Sequence, residues 1–192
     1  MKTLNKTLGK KSNYQNGNKS LWIGLLVAAS IVFSFAFACA LPFVACCTAA
    51  ALTLPRKDAL LLTGGLWLAN QAVGFAFLNY PWTTDCIAWG LVIGATAILS
   101  TMTAQFFANY GNGIKQIVVG FLFAFVVYEV ALFSASLILG GIENYTLEIQ
   151  GKIFVANALA LPALLILNNL GVAMGIAPTR ILRLSLVPLR SQ

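Results

Sequence analysis

From residue 20 to residue 175 the chain is a succession of apolar runs, most as long as a membrane-crossing helix, separated by short polar breaks. A spanning helix needs roughly 20 mostly apolar residues. Lipid offers no partner to an open backbone group, so such runs predict helices. Six are expected: Ser20–Leu41, Pro42–Leu54, Asp58–Leu78, Cys86–Ala108, Ile114–Leu139 and Ile153–Gly175. Asn109-Tyr110-Gly111-Asn112-Gly113 has the glycines and asparagines of a turn. Gly140 to Lys152 is expected to be a loop, and Pro162 to kink the last helix.

The second run is the short one. Ser20 to Pro55 is tight for two crossings at about 1.5 Å per residue. Charge decides, because Lys and Arg collect on the cytoplasmic side of membrane proteins. With six spans, Lys2, Lys6, Lys10, Lys11, Lys19, Arg56, Lys57, Lys115, Arg180, Arg183 and Arg190 share that side, and Lys152 alone faces outward. Without the Pro42–Leu54 crossing the twelve split six and six. The expected fold is therefore an all-α integral membrane protein, a six-transmembrane-helix bundle with cytoplasmic N- and C-termini. Its second helix should be short, tilted or partly re-entrant.

Residues 1–19 are polar and basic and predict a disordered cytoplasmic tail. Residues 20–176 form one transmembrane domain without repeats. Residues 177–192 alternate basic and apolar, as Arg180, Ile181, Leu182, Arg183 and Leu184 show, and suit the inner membrane surface. The run ending Ala36-Phe37-Ala38-Cys39-Ala40 mimics a signal cleavage site. At about 21 residues it exceeds a signal core, so a retained helix is expected.

Composition removes whole classes of function. The chain is 59% hydrophobic and 9% charged, unlike any soluble domain. Its net charge of +7 is spread over membrane-flanking segments and makes no nucleic-acid patch. Membrane lipid is the expected neighbour, and the localisation expected is the cell inner membrane, multi-pass. With no histidine, imidazole metal sites, Ser-His-Asp triads and His relays are excluded. Five carboxylates give general acid–base catalysis little to work with. No GxxxxGK[ST] occurs, so an ATP-driven role needs a separate motor subunit.

Candidate chemistry concentrates in the outer loop Asn79-Tyr80-Pro81-Trp82-Thr83-Thr84-Asp85-Cys86. Tyr80 and Trp82 suit interfacial anchoring. Aromatic faces, hydroxyls, a carboxylate and a thiol together also suit a small-molecule mouth. Cys39, Cys46 and Cys47 stand in Ala-rich sequence and read as small packing residues. Cys86 begins a helix, where backbone N–H groups favour thiolate. One thiol without histidine cannot hold a bare zinc ion, and no free metal ion is expected. A metal already chelated in a macrocycle needs only one axial ligand. Packing, or a disulfide with Cys39, is the competing reading. Glu129 stands mid-span, where a carboxylate marks a functional or bundle-interior position; Asn70, Gln71 and Asn157 are its candidate partners. Asn168 and Asn169 read as interhelical hydrogen-bonding residues, and Ser30, Ser34 and Ala38 as a small-residue face on the first helix.

The segment Leu41-Pro42-Phe43-Val44-Ala45, followed by Leu54-Pro55-Arg56-Lys57-Asp58-Ala59-Leu60-Leu61-Leu62-Thr63-Gly64-Gly65, resembles the substrate-binding S-components of energy-coupling factor (ECF) vitamin transporters. Those proteins are of this size, usually with six helices, and a small-residue first helix meets the transmembrane coupling subunit. The chain is most similar to the solitary cobalamin-specific S-components, the BtuM family, whose binding cysteine follows the third helix and ligates the corrinoid cobalt. Cys86 matches that position. The resemblance implies uptake of cobalamin (vitamin B12) with Cys86 as axial cobalt ligand, and removal of cyanide from cyanocobalamin as its one reaction. It implies either a partner in an energy-coupling ATPase and transmembrane module or action without one. Tyr80, Trp82 and Asp85 join the candidate site by proximity. Trp67, Asn70, Trp89 and Glu129 complete the set of expected lining residues. Two alternatives stand beside this one. An S-component for another vitamin would stack its cargo on Trp67, Trp82 and Trp89 and leave Cys86 inert. A non-catalytic accessory subunit would use Glu129 and the asparagines only to hold its helices together.

Overall fold

The structure, a computed structural model, describes residues 24, 42–108, 110 and 113–174. The expected first span, Ser20–Leu41, lies outside these apart from Gly24, and so do both tails. The six-helix count and the side on which the termini lie are therefore carried by sequence alone. Five α-helices and no strand occur among the described residues. They are α1 (Phe43–Thr53), α2 (Arg56–Ala76), α3 (Thr84–Phe107), α4 (Ile114–Leu139) and α5 (Leu147–Ala173). A single 3-10 turn, Ile142–Asn144, precedes α5.

The last four helices contain 21, 24, 26 and 27 residues. That is about 32 to 40 Å each, against a hydrocarbon core of about 30 Å. All four are long and apolar enough to cross a membrane. Their outward faces agree: Leu91, Ile98 and Leu99 on α3, Val126, Val130 and Leu137 on α4, and Leu159, Ile166 and Leu170 on α5 are exposed. Water penalises rows of this kind, whereas acyl chains accept them.

The chain runs back and forth. Arg56, Lys57 and Lys115 are exposed at one end of the bundle, and Trp82 and Lys152 are exposed at the other. These are called the Arg56 end and the Trp82 end below.

At the centre stands α1. Its 11 residues extend about 16 Å, half a crossing. All but two of them are buried, so the expected short second helix is an interior plug. Pro42 sits at its start, where a missing N–H costs least. Ala45 N–H donates to Asn157 Oδ1 of α5 at 2.9 Å. Asn157 lies ten residues, about 15 Å, into α5, so α1 begins near mid-depth and runs towards the Arg56 end. Asn157 Nδ2 is anchored on Ile153 O at 2.9 Å, which fixes the cap in place. α1 touches all four long helices, and α5 joins the bundle chiefly through it.

Small polar groups lock α1, α2 and α3 together. Thr101 Oγ1 donates to Ala97 O at 3.0 Å. Its one hydrogen being used, Thr63 must be the donor in the 2.8 Å contact between the two hydroxyls. Cys47 donates its thiol to the same carbonyl at 3.3 Å. On the other side, Ser100 donates to Ala124 O at 3.1 Å, and Ala97, Ala104 and Ala124 keep the α3–α4 seam narrow. Small side chains of this kind let helices approach closely in lipid, where no hydrophobic effect drives them together.

Helix boundaries differ from expectation, by one or two residues for α2 and α3 and by more at the start of α5. α5 begins at Leu147, six residues before Ile153, because Thr146 caps it by accepting Ile149 N–H at 3.3 Å. Glu148 and Lys152, an exposed i,i+4 pair at 2.7 Å, then lie on the helix, and the expected Gly140–Lys152 loop shrinks accordingly. Helix α5 also continues through Pro162, which is exposed on its outward face.

Candidate functional site

At the Trp82 end the chain folds back over the tip of α2. Tyr80 N–H donates to Gly74 O at 3.1 Å, and the Tyr80 ring occupies the space a Cβ on residue 74 would need. Asn79 supplies the turn with φ of 54°, a left-handed conformation that asparagine tolerates better than most residues. Phe75 holds the corner from beneath. Its ring meets Tyr80 edge-on at 5.9 Å and Trp82 at 4.5 Å in a tilted stack. Trp82 nevertheless presents 77% of its surface.

Thr83 then starts α3 by accepting the Cys86 N–H at 3.4 Å. That places Cys86 in the first helical turn, half-exposed, with Asp85 exposed beside it. Trp89 follows one turn deeper and is half-buried. Tyr80, Trp82, Asp85, Cys86 and Trp89 thus share the α2–α3 corner.

Below the corner, α2 and α3 are joined by large side chains set into glycine slots. Trp67 lies on Gly94, where a Cβ would come within 2.6 Å of the indole, and donates Nε1–H to Gly90 O at 2.7 Å. Gln71 lies on Gly90 in the same manner. Asn70 is buried at this level. Trp67 and Asn70 therefore stand below the corner. Trp67 is engaged in helix packing, a role its sequence context did not announce.

Glu129 belongs to a different group. It is half-buried on α4 beside buried Tyr128, and its charge reaches Tyr145 in the loop before α5. Tyr145 packs edge-on against Phe133, one helical turn beyond Glu129, at 5.3 Å. Burial, and after it the Glu129 carboxylate, push the Tyr145 phenol up to about 12. Of the partners considered for Glu129, Asn157 Oδ1 is taken by α1, and Gln71 packs on Gly90. Asn168 is buried but its Oδ1 meets no hydrogen-bond donor among the described residues, and Asn169 is exposed.

Gly74, Gly90, Gly94, Phe75 and Tyr145 were not among the expected site residues. The Gly90-x-x-x-Gly94 spacing was a readable signal, although it did not name Trp67 as the side chain it accepts. Cys46 is half-buried and Cys47 fully buried. Cys39 and the Ser30–Ser34–Ala38 face lie outside the described residues. Among the described residues no three His, Cys, Asp or Glu side chains converge as a metal-ligand group. Comparison of the chain with protein-family models, curated proteins and solved structures finds no match.

Proposed function

We propose that this chain is a substrate-binding subunit for vitamin uptake, with cobalamin as its cargo and the Cys86 sulfur as an axial ligand to the cobalt. The observation that carries the reading is the corner at the Trp82 end. A half-exposed thiol in the first turn of α3 stands beside an exposed indole and an exposed carboxylate. A soft thiolate suits a cobalt centre that already has its equatorial ligands. Trp82, stacked on Phe75 yet mostly uncovered, offers an apolar plane to the rim of a macrocycle.

In this reading the basic end faces the cytoplasm and the Trp82 end faces outward, across the inner membrane. Ser20–Leu41 supplies the sixth helix, in addition to the half-length α1. With cyanocobalamin, a Co–S bond forms as the Co–C bond to cyanide breaks. Cyanide leaves with its electron pair, and the cobalt keeps its oxidation state. Movement of the bundle then carries the cargo inward, driven by a separate ATPase module or by trapping of the cargo inside.

Native mass spectrometry of the full chain in nanodiscs tests the proposal. A one-to-one adduct with added cobalamin, lost in Cys86→Ala, is expected. An adduct of equal strength in Cys86→Ala removes the thiol from the account. Retention of a different vitamin by both forms would favour the S-component for another cargo.

A further inference from the structure

Of the five carboxylates in the chain, Asp58, Asp85 and Glu148 stand in the first turns of helices and Glu143 in the 3-10 turn. Glu129 alone stands inside a span, fifteen residues along α4. One of its oxygens, Oε1, is fully shielded and meets no hydrogen-bond donor among the described residues.

No counter-charge is at hand either. Lys152, the basic residue at the Trp82 end, is held by Glu148 at 2.7 Å. The titratable groups elsewhere are Tyr128 on α4 itself, Tyr145 from the outer loop, and Cys46 and Cys47 on α1. Asp85 and Cys86 on α3, Glu143 in the 3-10 turn and Glu148 on α5 also lie towards the Trp82 end, while Arg56, Lys57, Asp58, Tyr110 and Lys115 lie at the Arg56 end. Apart from Lys152, none of the groups towards the Trp82 end is a cation, and Lys115 stands fourteen residues from Glu129 at the other end of α4. Residues 20–41 contain no Lys or Arg. An ionised carboxylate in an apolar span needs a paired cation or water, and the alternative is the neutral acid.

We propose that Glu129 is a proton-binding site: its side chain is a neutral carboxylic acid at neutral pH and exchanges its proton with water at the Trp82 end, past Tyr145. The ligand is a hydrogen ion, taken up by the carboxylate and returned to water without further chemistry. Tyr145 is half-buried at that end with its ring on Phe133, one turn beyond Glu129, so its phenol lies on the route. The charge inside the bundle therefore follows the pH outside it. The inference is independent of the cargo and stands whether or not cobalamin binds.

Infrared spectroscopy of the full chain in lipid vesicles tests it. At neutral pH the wild type should show a carboxylic-acid C=O stretch that Glu129→Gln lacks and Asp85→Asn retains. The band should shift when the outer water is replaced by D2O. An identical acid region in the wild type and Glu129→Gln overturns the proposal, and a band that ignores D2O overturns the exchange route. Should Glu129→Gln fail to insert, wild-type labelling with dicyclohexylcarbodiimide decides, because the reagent attacks protonated carboxyls in apolar surroundings. An adduct on Glu129 that forms faster at lower pH supports the site, and its absence overturns it.

Discussion

Asn157 caps a helix it does not belong to. Its Oδ1 accepts the Ala45 N–H at 2.9 Å from 112 residues away, and that bond sits on the contact by which α5 joins the bundle. The half-length helix α1 depends on it, because no side chain of its own neighbourhood caps the first turn. A buried N–H left unpaired costs about 1–3 kcal/mol. Asn157→Leu should therefore lower stability by that amount in denaturant unfolding of the detergent-solubilised protein. The exposed Asn169→Leu should change it by no more than about 0.5 kcal/mol.

Trp67 and Gly94 form the second dependence. A Cβ at position 94 would collide with the indole, so Gly94→Val should cost about 1–3 kcal/mol by overpacking. Trp67→Phe keeps a ring in the slot and loses the bond to Gly90 O, at about 1 kcal/mol. The double variant Gly94→Val/Trp67→Ala should be less destabilised than the sum of its single changes, since the clash disappears with the indole.

These two relationships show what could be read from sequence and what could not. Hydropathy placed the long helices, with α4 expected and found at Ile114–Leu139. The α3 and α5 starts moved because capping by Thr83 and Thr146 sets them, and hydropathy averages over such single residues; α2 runs two residues earlier at each end than expected, after Pro55. Length and charge together exposed the shortness of Pro42–Leu54. Its position as a plug was hidden, because the Asn157–Ala45 bond joins segments that no local pattern connects. At the candidate site, the Tyr80–Cys86 corner was visible as a cluster in sequence. The roles of Gly74 and Phe75 were not, since a slot is legible only once the ring that fills it is placed.

Tyr145 provides a pH test. Burial and the nearby Glu129 carboxylate raise its phenol from the ordinary 10.0 to about 12 in the folded chain. The unfolded chain thus loses this proton first as pH rises. The phenol's contribution is complete below about 10 and is lost as pH climbs to about 12. Wild-type stability should fall across that window more than that of Tyr145→Phe. In Glu129→Gln, tyrosinate absorbance should show Tyr145 titrating at lower pH than in the wild type.

Orientation can be read at Cys86. A membrane-impermeant maleimide added to intact spheroplasts should label Cys86 and leave the buried Cys47 unmodified, with Cys86→Ser as the blank. Labelling of residue 86 only after the cytoplasmic side is opened would invert the proposed topology.

The cargo is tested most directly by the absorption spectrum of the purified protein mixed with cyanocobalamin. Replacement of cyanide by the Cys86 sulfur on cobalt should shift the corrin bands in the wild type and leave them unchanged in Cys86→Ala. Bands that stay unshifted in the wild type, or shift equally in both proteins, would contradict the account.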